Sequence, residues 1–164
     1  LNPVYEKGNW ADGYDVIVHD ECSADVKDPA VVSRVLQPHK DGLPAVVLHC
    51  GRHSFRSEGY PKATPWFDFT GLVSTGHGPQ QPIQLTFAAK DHPILKGQPE
   101  WKTINEELYN NAAGKLHDTA SPLIRGTQVV KGKDGKETTS EVVVAWTNTY
   151  NGKAKVFATT LGHN

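Results

Sequence analysis

Apolar positions along the first fifty residues fall into three blocks of different period. Tyr14-Asp15-Val16-Ile17-Val18 is a short apolar run entering a polar loop, His19 to Asp25, and predicts a buried strand. Asp28-Pro29 marks a helix start, with proline at the first helical position, where its missing N–H leaves no bond unmade. Val31, Val32, Val35 and Leu36 recur at helical spacing, so an amphipathic helix is predicted over 28–40, closed by Asp41-Gly42. Leu43 to Leu48 is a continuous, Val-rich run bounded by a turn, the pattern of a strand covered on both faces. Strand, helix and strand in this order make a βαβ unit with a right-handed crossover.

Further along, short strands are predicted at 71–75, 83–88, 105–110, 122–129, 141–147 and 154–160. Lys131-Gly132-Lys133-Asp134-Gly135-Lys136 reads as a solvated hairpin loop with Asp-Gly as its turn, and Tyr150-Asn151-Gly152-Lys153 joins the last two strands through Asn-Gly. The chain thus begins as parallel α/β and ends in antiparallel hairpins, with no repeat, linker or low-complexity tract.

Composition narrows the function classes. The 164 residues suffice for one domain, and 15 Gly with 11 Pro point to many turns and working loops. Lys plus Arg number 17 and Asp plus Glu 18, so no basic surplus exists to neutralise phosphates and nucleic acid is not an expected partner. No apolar stretch approaches the roughly 20 residues of a membrane span. Methionine is absent even at position 1, so the chain is expected to be a processed or trimmed piece of a longer one, and its compartment is left open. Two cysteines, Cys22 and Cys50, make no disulfide framework; their pairing is left open, and their scarcity favours a reducing compartment without excluding export.

The segment richest in chemistry is Ala45-Val-Val-Leu-His49-Cys50-Gly51-Arg52-His53-Ser54-Phe55-Arg56. A buried strand, a Gly-permitted turn and a following helix make a nucleophile elbow, which presents its apex at the carboxyl edge of the sheet. With Gly two residues past the apex, the apex is His49, and Cys50 points back as a buried structural thiol rather than a nucleophile. His49 and His53 are four apart but lack the Glu of a zinc-helix motif, so that pair alone signals little. His77, between two glycines, and His163, in Leu161-Gly-His-Asn164, also follow predicted strands, and the three histidines 49, 77 and 163 can converge on one rim. His19, His39 and His117 read as solvated. Trp66, Tyr109, Trp146 and Asn148 are the candidates for aromatic faces and an amide that stack on and hydrogen-bond a sugar, with core packing left open for Trp66 and Trp146, whereas Phe67, Phe69 and Trp101 read as core.

The run His49-Cys-Gly-Arg-His-Ser-Phe-Arg, then Trp66, Thr75-Gly-His-Gly-Pro, His92-Pro-Ile, Asn105-Glu-Glu-Leu-Tyr, Val144-Ala-Trp-Thr-Asn and Val156-Phe-Ala-Thr-Thr-Leu-Gly-His-Asn resembles the ThuA-like (trehalose utilisation) family, in order, from Tyr14 to Asn164. That family belongs to the class I glutamine amidotransferase-like superfamily, so the resemblance implies a flavodoxin-like α/β core over 1–164. It also implies bacterial disaccharide or keto-sugar metabolism, and it favours Glu107 over Glu106 as the inward carboxylate. Two departures stand out. His49 replaces the elbow cysteine that an amidotransferase needs, and the family's opening strand–helix unit and closing helix are missing from this stretch. The leading expectation is a sugar-processing enzyme with His49, His77, Glu107 and His163 at its rim, moving protons at a sugar carbon. In a metal-assisted variant His49, His77 and His163 hold a divalent ion such as Zn²⁺. The alternatives are a non-catalytic carbohydrate-binding module, its affinity carried by Trp66, Trp146 and Asn148, and a plain interaction domain.

Overall fold

The computed structural model describes residues 3–132 and 134–163; Lys133 of the predicted hairpin loop and Asn164 of the last motif lie outside the described residues. After a 3-10 turn at Pro3–Glu6 come β1 (Ile17–His19), α1 (Pro29–Asp41), β2 (Ala45–Leu48), a 3-10 elbow (His49–His53) and α2 (Pro65–Thr70). The remaining elements are β3 (His77–Phe87), β4 (Lys102–Tyr109), β5 (Ala120–Lys131), β6 (Glu137–Tyr150) and β7 (Ala154–Thr159). One seven-stranded sheet results, ordered β1-β2-β7-β6-β5-β3-β4. β1, β2 and β7 pair in parallel and every other pairing is antiparallel, the partly parallel α/β architecture expected from the sequence.

Helix α1 forms where the sequence signals it. The Asp28 carboxylate accepts from the Ala30 N–H, Pro29 occupies the first turn, and Gly42 at φ 120° returns its N–H to His39. Val32, Val35 and Leu36 are buried against the sheet with Val47, Trp66, Phe69, Trp146 and Val156. A second cluster, Ile83, Leu85, Leu108, Leu123 and Val144, packs the antiparallel half. Removing each such side chain from water contributes roughly 1.5–3 kcal/mol.

Several expectations need correction. The first strand is only Ile17–His19; Tyr14, Val16 and Val18 are exposed, because β1 lies at the sheet edge. β2 starts at Ala45, and its Val46 and Leu48 are half-buried rather than covered. Residues 71–75 form no strand. Gly71 adopts a left-handed cap (φ 81°) that ends α2, and the following segment bonds to the 110–117 loop through Ala112 N–H to the Val73 carbonyl and Asn110 N–H to the Gly76 carbonyl. His77 therefore opens β3 instead of following a strand. Trp101 is 41% exposed beside Phe87 and is no core residue.

His19 and His39 are not solvated but fully buried, with their Nε2 atoms 3.0 Å apart. The His39 Nδ1–H donates to the Leu43 carbonyl at 2.8 Å, and His19 Nδ1 lies 2.9 Å from Glu21, which also accepts from the Tyr5 hydroxyl. Burial pushes His39 down to about 4 and raises the Tyr5 phenol, whose neighbour Glu21 adds its negative charge to the same effect. His117 is part-exposed beside Asp68. The cysteines are joined as a Cys22–Cys50 disulfide, so Cys50 is not a free buried thiol and the scarcity of cysteine no longer favours a reducing compartment.

Candidate functional site

The site is assembled at strand ends. β2 terminates at Leu48, and His49 follows in the left-handed region at φ 36°, where a non-glycine residue costs of order 1–3 kcal/mol. Gly51 makes the turn possible: a Cβ there would lie 2.7 Å from the His19 carbonyl oxygen. The Trp66 indole N–H donates to the Gly51 carbonyl, and the disulfide ties Cys50 to the loop after β1. The strand and turn of the expected elbow are present with His49 at its apex, but the helix expected directly after it is not: His49–His53 is a 3-10 turn, and α2 begins only at Pro65. His163 follows β7, the parallel neighbour of β2, so both imidazoles leave the same carboxyl edge of the sheet.

β4 is not a neighbour of β7, yet its end reaches the loop that follows β7. The Glu106 carboxylate accepts from the backbone N–H groups of Gly162 (2.9 Å) and His163 (2.7 Å). Register breaks in the β3–β4 pair, between His77 and Gln80 and between Pro82 and Gln84, accompany this curl. Contrary to the inward–outward expectation, both carboxylates are buried: Glu106 anchors the C-terminal segment and Glu107 faces the histidines.

Glu107 is the hub. Its carboxylate lies 3.6 Å from His49 Nε2, 3.6 Å from His77 Nε2 and 3.3 Å from His163 Nδ1. Gln80 joins from β3, its amide nitrogen 3.2 Å from Glu107 and 2.7 Å from His163 Nε2. His49 Nδ1 donates to the Thr160 carbonyl at 2.9 Å, and His77 Nδ1 donates to the Gly78 carbonyl at 2.9 Å. The loop carrying His77 is held by Asn110, whose side-chain oxygen accepts from Ser74, Thr75 and Gly76. Glu107 and His49 are nearly buried, whereas His163 and His77 are one-third and 41% exposed, so the cluster opens on one side.

Tyr109 underlies the cluster, stacked between His53 and His77, with its hydroxyl 3.5 Å from His49 Nε2. Burial, then the charge and hydrogen bond of Glu107, raise its phenol and keep it protonated. His53 donates no ligand atom to the cluster; it bonds Ser74 at 2.8 Å, and burial followed by the nearby Arg52 and Arg56 charges pushes it down to about 3. Arg52 is fully buried over the Trp146 ring, with one nitrogen donating to the Leu72 carbonyl.

The structure therefore brings together His49, His77, Glu107, His163 and the edge of Tyr109. It takes the other expected sugar contacts away. Trp66 and Trp146 are fully buried, their indole N–H groups spent on the Gly51 and Thr70 carbonyls. Asn148 is buried on the Asp68 and Phe69 carbonyls and the Thr119 hydroxyl. None of the three presents a face to a ligand. The three-histidine metal set is also revised: among the described residues, the group with ligand atoms within 4.8 Å of one another is His49, Glu107 and His163, without His77. Gln80, Glu106 and Asn110 were not anticipated, and only the fold brings Gln80 and Glu106 to the histidines. The site is assigned by this convergence and not by cleft size, since a cleft of about 730 Å³ between the N-terminal segment and α1 lies elsewhere.

The chain is a mixed α/β domain, with a histidine-crowned elbow facing a buried carboxylate. The ThuA (trehalose utilisation) family model matches residues 4–164, and the chain belongs to that family. Its fold resembles the crystal structure of a ThuA-like protein from Parabacteroides merdae ATCC 43184, with 22% identity and a TM-score of 0.68, covering 93% of this chain and 61% of that one. A ThuA-like protein from Bacteroides uniformis ATCC 8492 is similar at 17% identity and a TM-score of 0.70, covering 100% of this chain and 66% of that one. The chain thus spans about two-thirds or less of these relatives' length. No match was found among curated proteins.

Proposed function

We propose that this domain processes a sugar, a disaccharide or keto-sugar, by moving a proton at a carbon next to a carbonyl or hydroxyl. The observation that carries the reading is the convergence of three imidazoles, from three separate strand ends, on the one buried carboxylate of Glu107. A proton-transfer centre needs groups of this type held in reach of each other and open on one side. His77 is the most exposed of the four and is assigned as the group that meets substrate, with Glu107 as its partner and His49 orienting from the elbow. Membership of a trehalose-utilisation family supports the sugar class. Glutamine amidotransfer is not proposed, because His49 stands at the elbow apex and neither cysteine is a free thiol. A carbohydrate-binding module loses its support, since Trp66, Trp146 and Asn148 are interior.

The test is calorimetric binding and turnover on a panel of disaccharides and keto-sugars. His77→Ala and Glu107→Gln are expected to reduce turnover by about 10²-fold or more, the usual share of positioned acid–base groups. Full turnover in both variants, or no sugar bound at millimolar concentration, refutes the reading.

A further inference from the structure

We propose that His49, Glu107 and His163 bind one divalent transition-metal ion, leaving His77 outside the ligand set. This deepens the sugar reading because it concerns the same cluster, but cation binding is inferred without reference to any sugar.

A backbone carbonyl only accepts, so the contact from Nδ1 of His49 to the Thr160 carbonyl puts the ring proton on Nδ1. In the neutral ring the Nε2 lone pair then points at the Glu107 carboxylate, 3.6 Å away. His77 repeats the arrangement, with Nδ1 on the Gly78 carbonyl and Nε2 facing the same Glu107 oxygen at 3.6 Å. Two imidazole lone pairs therefore face one carboxylate that is 8% exposed, whose protein donors are the neutral Gln80 amide and Tyr109 hydroxyl. A cation held between the lone pairs and the carboxylate satisfies all of them at once. An Nδ1–H donated to a carbonyl is also how metal-binding histidines are oriented by their surroundings.

Distances fit a small ion. Two donors each about 2.0–2.2 Å from a metal lie roughly 3.0–3.5 Å apart at octahedral or tetrahedral angles. Glu107 is 3.6 Å from His49 Nε2 and 3.3 Å from His163 Nδ1, and all three ligand atoms lie within 4.8 Å of one another. The widest separation, up to 4.8 Å, closes by a movement of about 1.3–1.8 Å, which the part-exposed His163 can supply. Taking the ion on Nδ1 puts the His163 proton on Nε2, so Gln80 swings its amide away from Glu107 and presents its oxygen to Nε2–H, giving up the 3.2 Å bond to the carboxylate that the ion replaces. The frame behind the ligands is fixed: the disulfide and Gly51 hold the elbow, and Glu106 holds the His163 backbone. Two imidazoles and one carboxylate suit Zn²⁺, Mn²⁺ or Fe²⁺ and leave coordination positions open on the solvent side.

The experiment uses the whole chain, stripped with chelator, titrated with Zn²⁺ by calorimetry and with Co²⁺ by visible absorption. One ion per chain is expected, with a Co²⁺ spectrum distinct from the hydrated ion. Glu107→Gln, His49→Ala and His163→Ala should each weaken uptake more than about 100-fold, beyond the 10–100-fold typical of outer-shell partners. His77→Ala should stay within about threefold of the wild type, below any outer-shell effect. A wild-type Co²⁺ spectrum identical to the hydrated ion overturns the site whatever the variants do. Equal uptake by a folded Glu107→Gln chain overturns it as well, and loss in His77→Ala overturns the ligand set. Metal uptake without sugar binding retains this site and removes the sugar reading; sugar turnover by metal-free protein that takes up no ion does the reverse.

Discussion

Glu106→Gln isolates what holds the C-terminal half of the site. The Glu106 carboxylate is 4% exposed and accepts two backbone N–H groups, Gly162 at 2.9 Å and His163 at 2.7 Å. Hydrogen bonds to a charged group contribute about 1.5–3 kcal/mol each, neutral ones about 0.5–1.5. Glutamine keeps one neutral acceptor and turns an NH₂ donor toward the other N–H, so the docked segment loses about 2–4 kcal/mol. Even the lower figure shifts the docking equilibrium of residues 161–163 by roughly 30-fold.

The assay is native-state hydrogen exchange at the Gly162 and His163 amides. In the wild type both should be protected, and in Glu106→Gln their exchange should rise by about 30-fold or more while the amides of β5 and β6 stay protected. Zn²⁺ affinity should fall by a similar factor, because His163 brings its ring to the cluster only when its backbone is docked. Unchanged protection at these two amides in the variant refutes the anchoring role. Unchanged Zn²⁺ affinity beside lost protection separates the anchor from the metal proposal and counts against the latter.

The Cys22–Cys50 link closes a span of 28 residues, for which the chain-entropy estimate is about 3–4 kcal/mol, so Cys22→Ser/Cys50→Ser should lower the urea unfolding free energy by that amount; a loss under about 1 kcal/mol contradicts it. Acidification should destabilise the fold through His39 and His53, which burial holds down to about 4 and about 3. Their folded forms are neutral while the unfolded chain takes up protons below about 6.5, so this stability is complete above about 6.5 and is lost as pH falls toward 4, at most about 3 kcal/mol for His39. Urea unfolding at pH 7.5 and 5 checks the sign, and equal stability at the two values rejects it.

Local signals were legible where a single segment decides its own structure. The Asp28-Pro29 start of α1 and the Asn-Gly turn before β7 are set by backbone chemistry within a few residues. Long-range pairing was not legible. His39 sits in the last turn of a helix and His19 at a strand end, and each looks solvated until the other arrives from twenty residues away to share its nitrogen. Trp66 and Trp146 fail as sugar platforms because an indole in a core and one in a binding face have the same sequence context; the deciding carbonyls, Gly51 and Thr70, come from elsewhere. Alternation allowed only one of Glu106 and Glu107 to face inward. Both are buried because the segment after β7 covers the second face, a contact spanning more than fifty residues.

The elbow is constrained more heavily than five residues of 3-10 helix require. A non-glycine residue at φ 36° persists only where its surroundings over-determine it. Here the Trp66 indole holds the Gly51 carbonyl, Gly51 presses against the end of β1, the disulfide fixes Cys50, and the Thr160 carbonyl fixes the His49 ring. Relaxing His49 into ordinary backbone geometry would relieve about 1–3 kcal/mol and would redirect Nε2 away from Glu107. Four restraints from four parts of the chain, all resisting that relaxation, favour a selected direction for one imidazole nitrogen over stability for its own sake. That direction leads to Glu107, where the two other imidazoles also point.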